Sequence, residues 1–195
     1  MDFCRRVLRC SSMTAKLAMQ GELGLWTLQS RRDLKMLIWW FNVITTDDSR
    51  LIKHIYVTGK QIHLSKKKGN WTSMVKKVLI KYNLKPLWDD EKLLFNLDGK
   101  GNKEAKNMED HRRYWRNYIK KHILLYEEEK WRVGIQKKPK LRTLCRFKHN
   151  LRLENYLLTA ANYQGRRLMT SLRTGTNILE IEKGRWKNLP VQERM

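Results

Sequence analysis

Asn70-Trp71-Thr72-Ser73-Met74-Val75-Lys76-Lys77-Val78-Leu79-Ile80-Lys81-Tyr82 decides the fold class of this chain. Trp71, Met74, Val75, Val78, Leu79 and Tyr82 recur at spacings of three and four, so a helical period gathers them on one face. Asn70 stands where its side chain can accept a backbone N–H that the first helical turn leaves orphaned, and Pro86 follows the far end. Upstream, Leu34, Leu37, Ile38 and Phe41 repeat the same spacing, widened by Met36, Trp39 and Trp40, and predict a core helix over about 27–45. Asp47-Asp48 is expected to cap a second helix carrying Leu51, Ile52, Ile55 and Ile62, with the basic loop Ser65-Lys66-Lys67-Lys68-Gly69 after it.

Downstream, Ala105, Met108, Trp115, Tyr118, Ile119 and Leu125 predict a long helix over about 103–130. Shorter helical pieces follow near 141–148, 154–159 and 164–173, the last ended by Gly175 as a C′ residue. Ile178, Leu179 and Ile181 predict a short extended segment near the C-terminus. With three prolines, no hairpin dipeptide flanked by alternation and little β-branched enrichment, the expected fold is all-α: an irregular multi-helix array with a short extended C-terminal segment. The strongest breaker, Asp98-Gly99-Lys100-Gly101-Asn102, divides the chain into a helical part at 1–98 and a basic helical part at 99–195.

Charge decides the class of partner. Lysine and arginine number 42 against 19 acidic residues in 195, a net charge of +23, which self-repels unless a polyanion screens it. RNA or DNA is therefore the expected partner, bound electrostatically and without sequence preference. No apolar run approaches the roughly 20 residues of a transmembrane helix, so no membrane span is expected. Cys4, Cys10 and Cys145 form neither a disulfide framework nor a metal-ligand spacing and fit a reducing interior. The start carries no secretory design, which leaves nucleus or cytoplasm. Lys137-Lys138-Pro139-Lys140-Leu141-Arg142 reads as a solvated loop or as an import signal.

No catalytic or metal residues are assigned. Asp47-Asp48 and Asp89-Asp90-Glu91 read as helix starts, and Glu127-Glu128-Glu129 as a solvent face balanced by Lys120, Lys121 and Lys130. The five histidines show no zinc-hydrolase spacing, no glycine-rich phosphate loop occurs, and no cofactor is implied.

Basic clusters with interleaved aromatics remain. Between Lys100 and Lys148 there are 16 basic and 6 acidic residues, and His111-Arg112-Arg113-Tyr114-Trp115-Arg116-Asn117-Tyr118 puts guanidinium forks and flat rings on successive positions of one helix, Arg112, Arg113, Tyr114 and Arg116 being the candidate ligands. Arginine forks grip phosphates and flat rings stack on unpaired bases. The competing reading makes Trp115 and Tyr118 core residues that the arginines merely surround. Arg166, Arg167, Arg173 and Arg185 form a second cluster, for which phosphate contact and a solvated face stand equally.

Ile181, Glu182, Gly184, Arg185, Trp186, Pro190, Glu193 and Arg194 form a Leu-x-Ile-Glu-x-Gly-Arg-aromatic run and a Pro-x-x-Glu-Arg turn, and this pattern resembles the region downstream of the reverse-transcriptase domain in non-LTR retrotransposon polyproteins of animals. Phe3-Cys4-Arg5-Arg6-Val7-Leu8 with Gly21-Glu22-Leu23-Gly24 is similar to another block, with Arg9 where the family usually has Gly. The run 31–40, Asp47-Asp48-Ser49-Arg50-Leu51-Ile52-Lys53, Lys140-Leu141-Arg142-Thr143 and Leu153-Glu154-Asn155-Tyr156-Leu157 match too, and 100–130 matches weakly. In the family a Cys-x-x-Cys pair opening a zinc-knuckle-like element follows, and it would fall just past Arg194, so the resemblance implies a fragment.

The resemblance further implies a thumb- or connector-like role for 1–98, an upstream reverse-transcriptase domain as partner, and catalytic residues lying before residue 1. The expected function is that of a non-catalytic region of an RNA-directed DNA polymerase, holding template or target nucleic acid. The alternative is a host interaction protein descended from such an element, with a helical protein-binding surface.

Overall fold

The computed structural model describes residues 2–65, 70–95, 107–159 and 162–176, with Lys187, Asn188 and Pro190. Its helices are α1 (Asp2–Leu8), α2 (Lys16–Glu22), α3 (Leu28–Ile44), α4 (Leu51–Ser65), α5 (Trp71–Lys81) and α6 (Pro86–Asp89), followed by α7 (Met108–Gln136), α8 (Arg142–Phe147), α9 (Tyr156–Thr159) and α10 (Tyr163–Arg173). Single 3₁₀ segments run over Glu91–Phe95 and Pro139–Leu141. The fold is all-α: no strand occurs among the described residues, where one antiparallel bridge pairs Leu23 with Leu153. The expected extended segment at Ile178, Leu179 and Ile181 and the breaker at 98–102 lie outside the described residues. Contacts group the chain into two compact units, one of 27–127 and one of 1–26 with 128–195.

In the 27–127 unit the helix starts are chemically marked. Thr27 Oγ1 accepts the Ser30 N–H at 3.2 Å, and Asn70 Oδ1 accepts the Ser73 N–H at 2.8 Å while Ser73 Oγ accepts the Asn70 N–H at 3.1 Å. The second pair is a capping box, which satisfies two orphan donors at once. Asp47 does something different from the cap expected of it. Its carboxylate accepts the Ser49 N–H at 2.8 Å and closes a turn ahead of α4.

Aromatic side chains fill this unit. Trp40 and Phe41 are wholly buried on α3, and Trp115 of α7 is nearly so. Trp115 stacks on Phe41 at 5.6 Å between centroids and meets Trp40 edge-on at 5.9 Å. Both indole N–H groups are satisfied: Trp40 donates to Tyr56 Oη and Trp115 to the Leu37 carbonyl. Such rings supply much of the unit's apolar burial, about 25 cal/mol for each Å² removed from water. Trp39, one residue from Trp40, is 48% exposed and rests edge-on against Trp71.

A polar network threads the same core. Asp33, 1% exposed, accepts from Lys81 Nζ and Tyr82 Oη, both at 2.7 Å. Burial pushes the Asp33 carboxyl up, but the bonds from Lys81, Tyr82 and Gln29 outweigh it and leave its pKa lowered. Glu127, expected on a solvent face, is buried, accepting from Ser30 Oγ at 2.7 Å and from the Thr27 N–H at 3.2 Å. Charge balance along α7 pointed outward, yet the α3 cap supplies donors that hold this carboxylate inside.

The unit of 1–26 and 128–195 rests on close helix approach. A Cβ on Gly21 would come within 2.6 Å of the Trp131 ring, so α2 meets the C-terminal half of α7 only through glycine. Trp131 Nε1 seals the contact by donating to the Leu17 carbonyl at 2.8 Å. Ala18, Trp131, Ile135, Leu141, Leu144 and Leu151 form one core, and Cys4, Leu8 and Met19 another. Gly175 adopts φ +64° after α10, where Thr176 N–H reaches the Ser171 carbonyl and Gly175 N–H the Leu172 carbonyl. That is the Schellman arrangement anticipated for a C′ glycine. Arg9 takes φ +50° just past α1, a left-handed conformation that costs a non-glycine residue about 1–2 kcal/mol.

Candidate nucleic-acid interface

Three buried residues set the rotation of α7 within the 27–127 unit. Trp115, Ile119 and Ile123 are all at most 1% exposed, and their spacing of four turns the positions between them outward. Arg112, Arg113 and Arg116 are therefore exposed together, with Lys120 and Lys121 one turn further on. From Met108 to Lys121 five basic residues face two acidic ones. Asn107 caps this end, its side chain accepting the Asp110 N–H at 2.9 Å.

The arginines differ in their partners. Arg112 lies 3.6 Å from Glu109 and Arg113 lies 2.9 Å from Asp110, both i, i+3 pairs on the exposed face. Exposed pairs of this kind contribute about 0–1 kcal/mol, so a phosphate can displace either carboxylate at small cost. Among the described residues Arg116 makes no ion pair. Arg112 and Arg116 line a cleft of about 340 Å³ with Glu109, with Asn42 of α3 and with Thr46 just after that helix, over a floor that includes Phe41 and Trp115. Tyr114 is half-buried and already engaged with its surroundings. Trp115 is thus a core residue, as the competing reading has it, whereas Tyr118 is only half-buried, and the arginines lie exposed around them.

Of the second cluster, Arg166 and Arg167 occupy α10, half-buried and exposed respectively. Arg185 lies outside the described residues. Arg173, expected at the surface with them, is turned inward. Its Nε donates to Glu22 Oε1 at 2.8 Å, and its Nη2 lies 2.9 Å from Glu154 Oε2, an ion pair without a directed hydrogen bond. Burial works against its charge, but the hydrogen bond and charge of Glu22 and the charge of Glu154 more than offset it and raise its pKa. With its side chain only 13% exposed, Arg173 belongs to the interior and not to a phosphate-binding surface. The network continues: Tyr156 Oη donates to Glu22 Oε2 at 2.8 Å, and Lys148 pairs with Glu154. Burial pushes the Tyr156 hydroxyl far up, so it stays a donor.

No family model, no curated protein and no solved structure matches the chain. Among the described residues no group of three or more His, Cys, Asp or Glu is placed to hold a metal ion, and no helix is long and apolar enough to cross a membrane. Asp47 and Asp48 are exposed at the turn before α4. Sequence reasoning missed two basic residues, Arg6 on α1 and Arg9 after it, which stand beside Arg166 and Arg167. Their only signal was a basic run on a helix too short for periodicity to reveal.

Proposed function

We propose that this chain is a non-catalytic nucleic-acid-binding region of a protein derived from a non-LTR retrotransposon reverse transcriptase, acting in nucleus or cytoplasm. The observation that carries the binding reading is the outward face of α7, where Arg112, Arg113 and Arg116 are exposed beside two weakly held carboxylates in a chain of net charge +23. Guanidinium forks presented in a row suit the phosphates of a backbone, and contacts of this kind read no base edge. The family assignment rests on the sequence blocks alone. Partners under this reading are RNA or DNA and, in a parent polyprotein, an upstream reverse-transcriptase domain. Polarisation titrations of the purified chain against labelled single strands at graded salt test it: binding that weakens steeply with salt supports the reading, and no binding at low salt rejects it.

A second reading has an observation of its own. Leu51, Ile55, Trp39 and Met74 are roughly half or more exposed on α3, α4 and α5. Beside them Ile52, Ile55, Tyr56, Gly59 and Trp71 line a small, largely apolar cleft of about 110 Å³. Exposed apolar surface of this kind suits a protein partner, as a domesticated host interaction protein would use. Capture of a defined helical protein partner, lost in Ile55→Glu, with no measurable strand binding at low salt, would favour it.

A further inference from the structure

The unit of 1–26 and 128–195 carries a cleft of about 460 Å³ with a sharply divided lining. Arg6, Arg9, Arg166 and Arg167 supply its charge, and no carboxylate lines it among the described residues. Its floor is apolar, formed by Leu8, Leu23, Leu153 and Leu157 with the ring of Tyr163. Arg9 lays its guanidinium over that ring, 5.0 Å from the centroid, as its left-handed backbone allows. The acidic groups elsewhere in this unit that make ion pairs are taken: Asp2 holds Arg5, Glu22 holds Arg173, Glu129 holds Arg132, and Glu154 holds Lys148 and Arg173.

Four guanidiniums around one concavity repel each other unless an anion joins them. All four are arginine, whose planar fork matches phosphate bidentately, whereas lysine offers only a point charge. The apolar half asks for a ligand that is flat and poorly hydrated beyond its phosphate. A cleft of this volume falls in the range of about 300–1,000 Å³ typical of small-molecule sites and has room for one nucleotide, not for a duplex. The Arg9 guanidinium, held over the Tyr163 ring, offers its other face as a platform for a base.

We propose that this cleft binds a nucleoside phosphate with an unpaired base, the phosphate on Arg6, Arg166 and Arg167 and the base against Arg9 and the leucine floor. This rests on the nucleic-acid reading for its strand form, the phosphorylated end of a single strand, while a free nucleotide would meet the same groups.

The test uses the full chain and three probes: adenosine monophosphate, a 12-nucleotide strand with and without a 5′-phosphate, and phosphatidic acid vesicles. Calorimetry should detect the monophosphate, and the Arg166→Ala/Arg167→Ala variant should bind it about tenfold or more weakly, the loss expected for charge-assisted contacts. Arg6→Ala, on a different helix, should weaken it in the same direction with an unchanged melting temperature. A 5′-phosphate that tightens strand binding identifies a strand end as the ligand; monophosphate binding without that preference identifies a free nucleotide. Strand binding that persists with no monophosphate binding and no 5′-phosphate preference overturns the site and leaves the α7 interface standing. Loss of all strand binding with arginine-dependent monophosphate binding retained rejects the α7 interface and keeps the site. Binding of vesicles but not of monophosphate overturns it in favour of a lipid surface.

Discussion

Arg173 Nε lies 2.8 Å from Glu22 Oε1, and the Glu22 side chain is wholly buried, so an arginine from a basic tail is committed to an interior carboxylate 151 residues earlier. Removing either partner strands a buried charge. Glu22→Ala and Arg173→Ala should each destabilise the fold by about 3–5 kcal/mol, the usual cost of breaking a buried pair. Arg173→Ala should leave the salt dependence of nucleic-acid binding unchanged. Chemical denaturation reads the first effect and polarisation titration the second; a stable Arg173→Ala protein with a flatter salt slope would return this residue to the surface.

Stability should fall at both ends of the pH scale through the Asp33, Lys81 and Tyr82 network. The Asp33 carboxyl has a lowered pKa, so its contribution is present above the ordinary value near 4 and lost as pH falls through the depressed one. Lys81 is raised: burial opposes its charge, but the bonds it donates to Asp33 and Tyr82 prevail. Tyr82 is also raised, burial being the first cause. Their contributions are full below about pH 10 and are lost as pH climbs through the raised values. Urea midpoints across pH 3–11 should trace both limbs, and Asp33→Asn should flatten the acid one. An acid limb of unchanged steepness in Asp33→Asn would assign it to other carboxylates.

Trp115 links the α7 face to the core, stacking on Phe41 and donating its indole N–H to the Leu37 carbonyl at 3.0 Å. Trp115→Ala should cost about 3–5 kcal/mol. Trp115→Phe should cost less but leave that carbonyl without its donor. A thermal melt of Trp115→Ala within a degree or two of the parent would remove Trp115 from the core.

How far these sites were legible depended on how local their causes are. The α5 cap was readable because Asn70 and Ser73 are three residues apart, and the α3 core because Leu37 and Phe41 share one turn. Gly175 was readable for the same reason. Helices α1 and α2 escaped notice, being seven residues each, shorter than the window in which periodicity declares itself. Glu127 and Arg173 were misplaced because their partners lie about 100 and 151 residues away. In sequence, Arg166, Arg167 and Arg173 look alike; only the fold distinguishes the one that finds Glu22.

Under the non-catalytic role proposed for it, the chain should neither copy nor cut nucleic acid. Asp47 and Asp48 stand exposed at a turn, Asp47 occupied with the Ser49 N–H, and neither is in a described metal-ligand group. Incubation with primed template and nucleotides in Mg²⁺ or Mn²⁺ should give neither extension nor cleavage. Template-dependent extension abolished by Asp47→Ala/Asp48→Ala would overturn this.

Under the proposed function the outward arginines of α7 hold nucleic acid through its phosphates. The most direct measurement is the salt dependence of single-strand affinity for the parent chain and for Arg112→Ala/Arg113→Ala/Arg116→Ala. Each phosphate contact on a single strand contributes a log–log slope of about −0.7, so the triple variant should flatten the slope by about 2. Tyr114→Ala should in addition weaken single-strand binding more than duplex binding if its ring stacks on bases. A triple variant with the parent's slope, or parent binding that survives molar salt, would contradict the account.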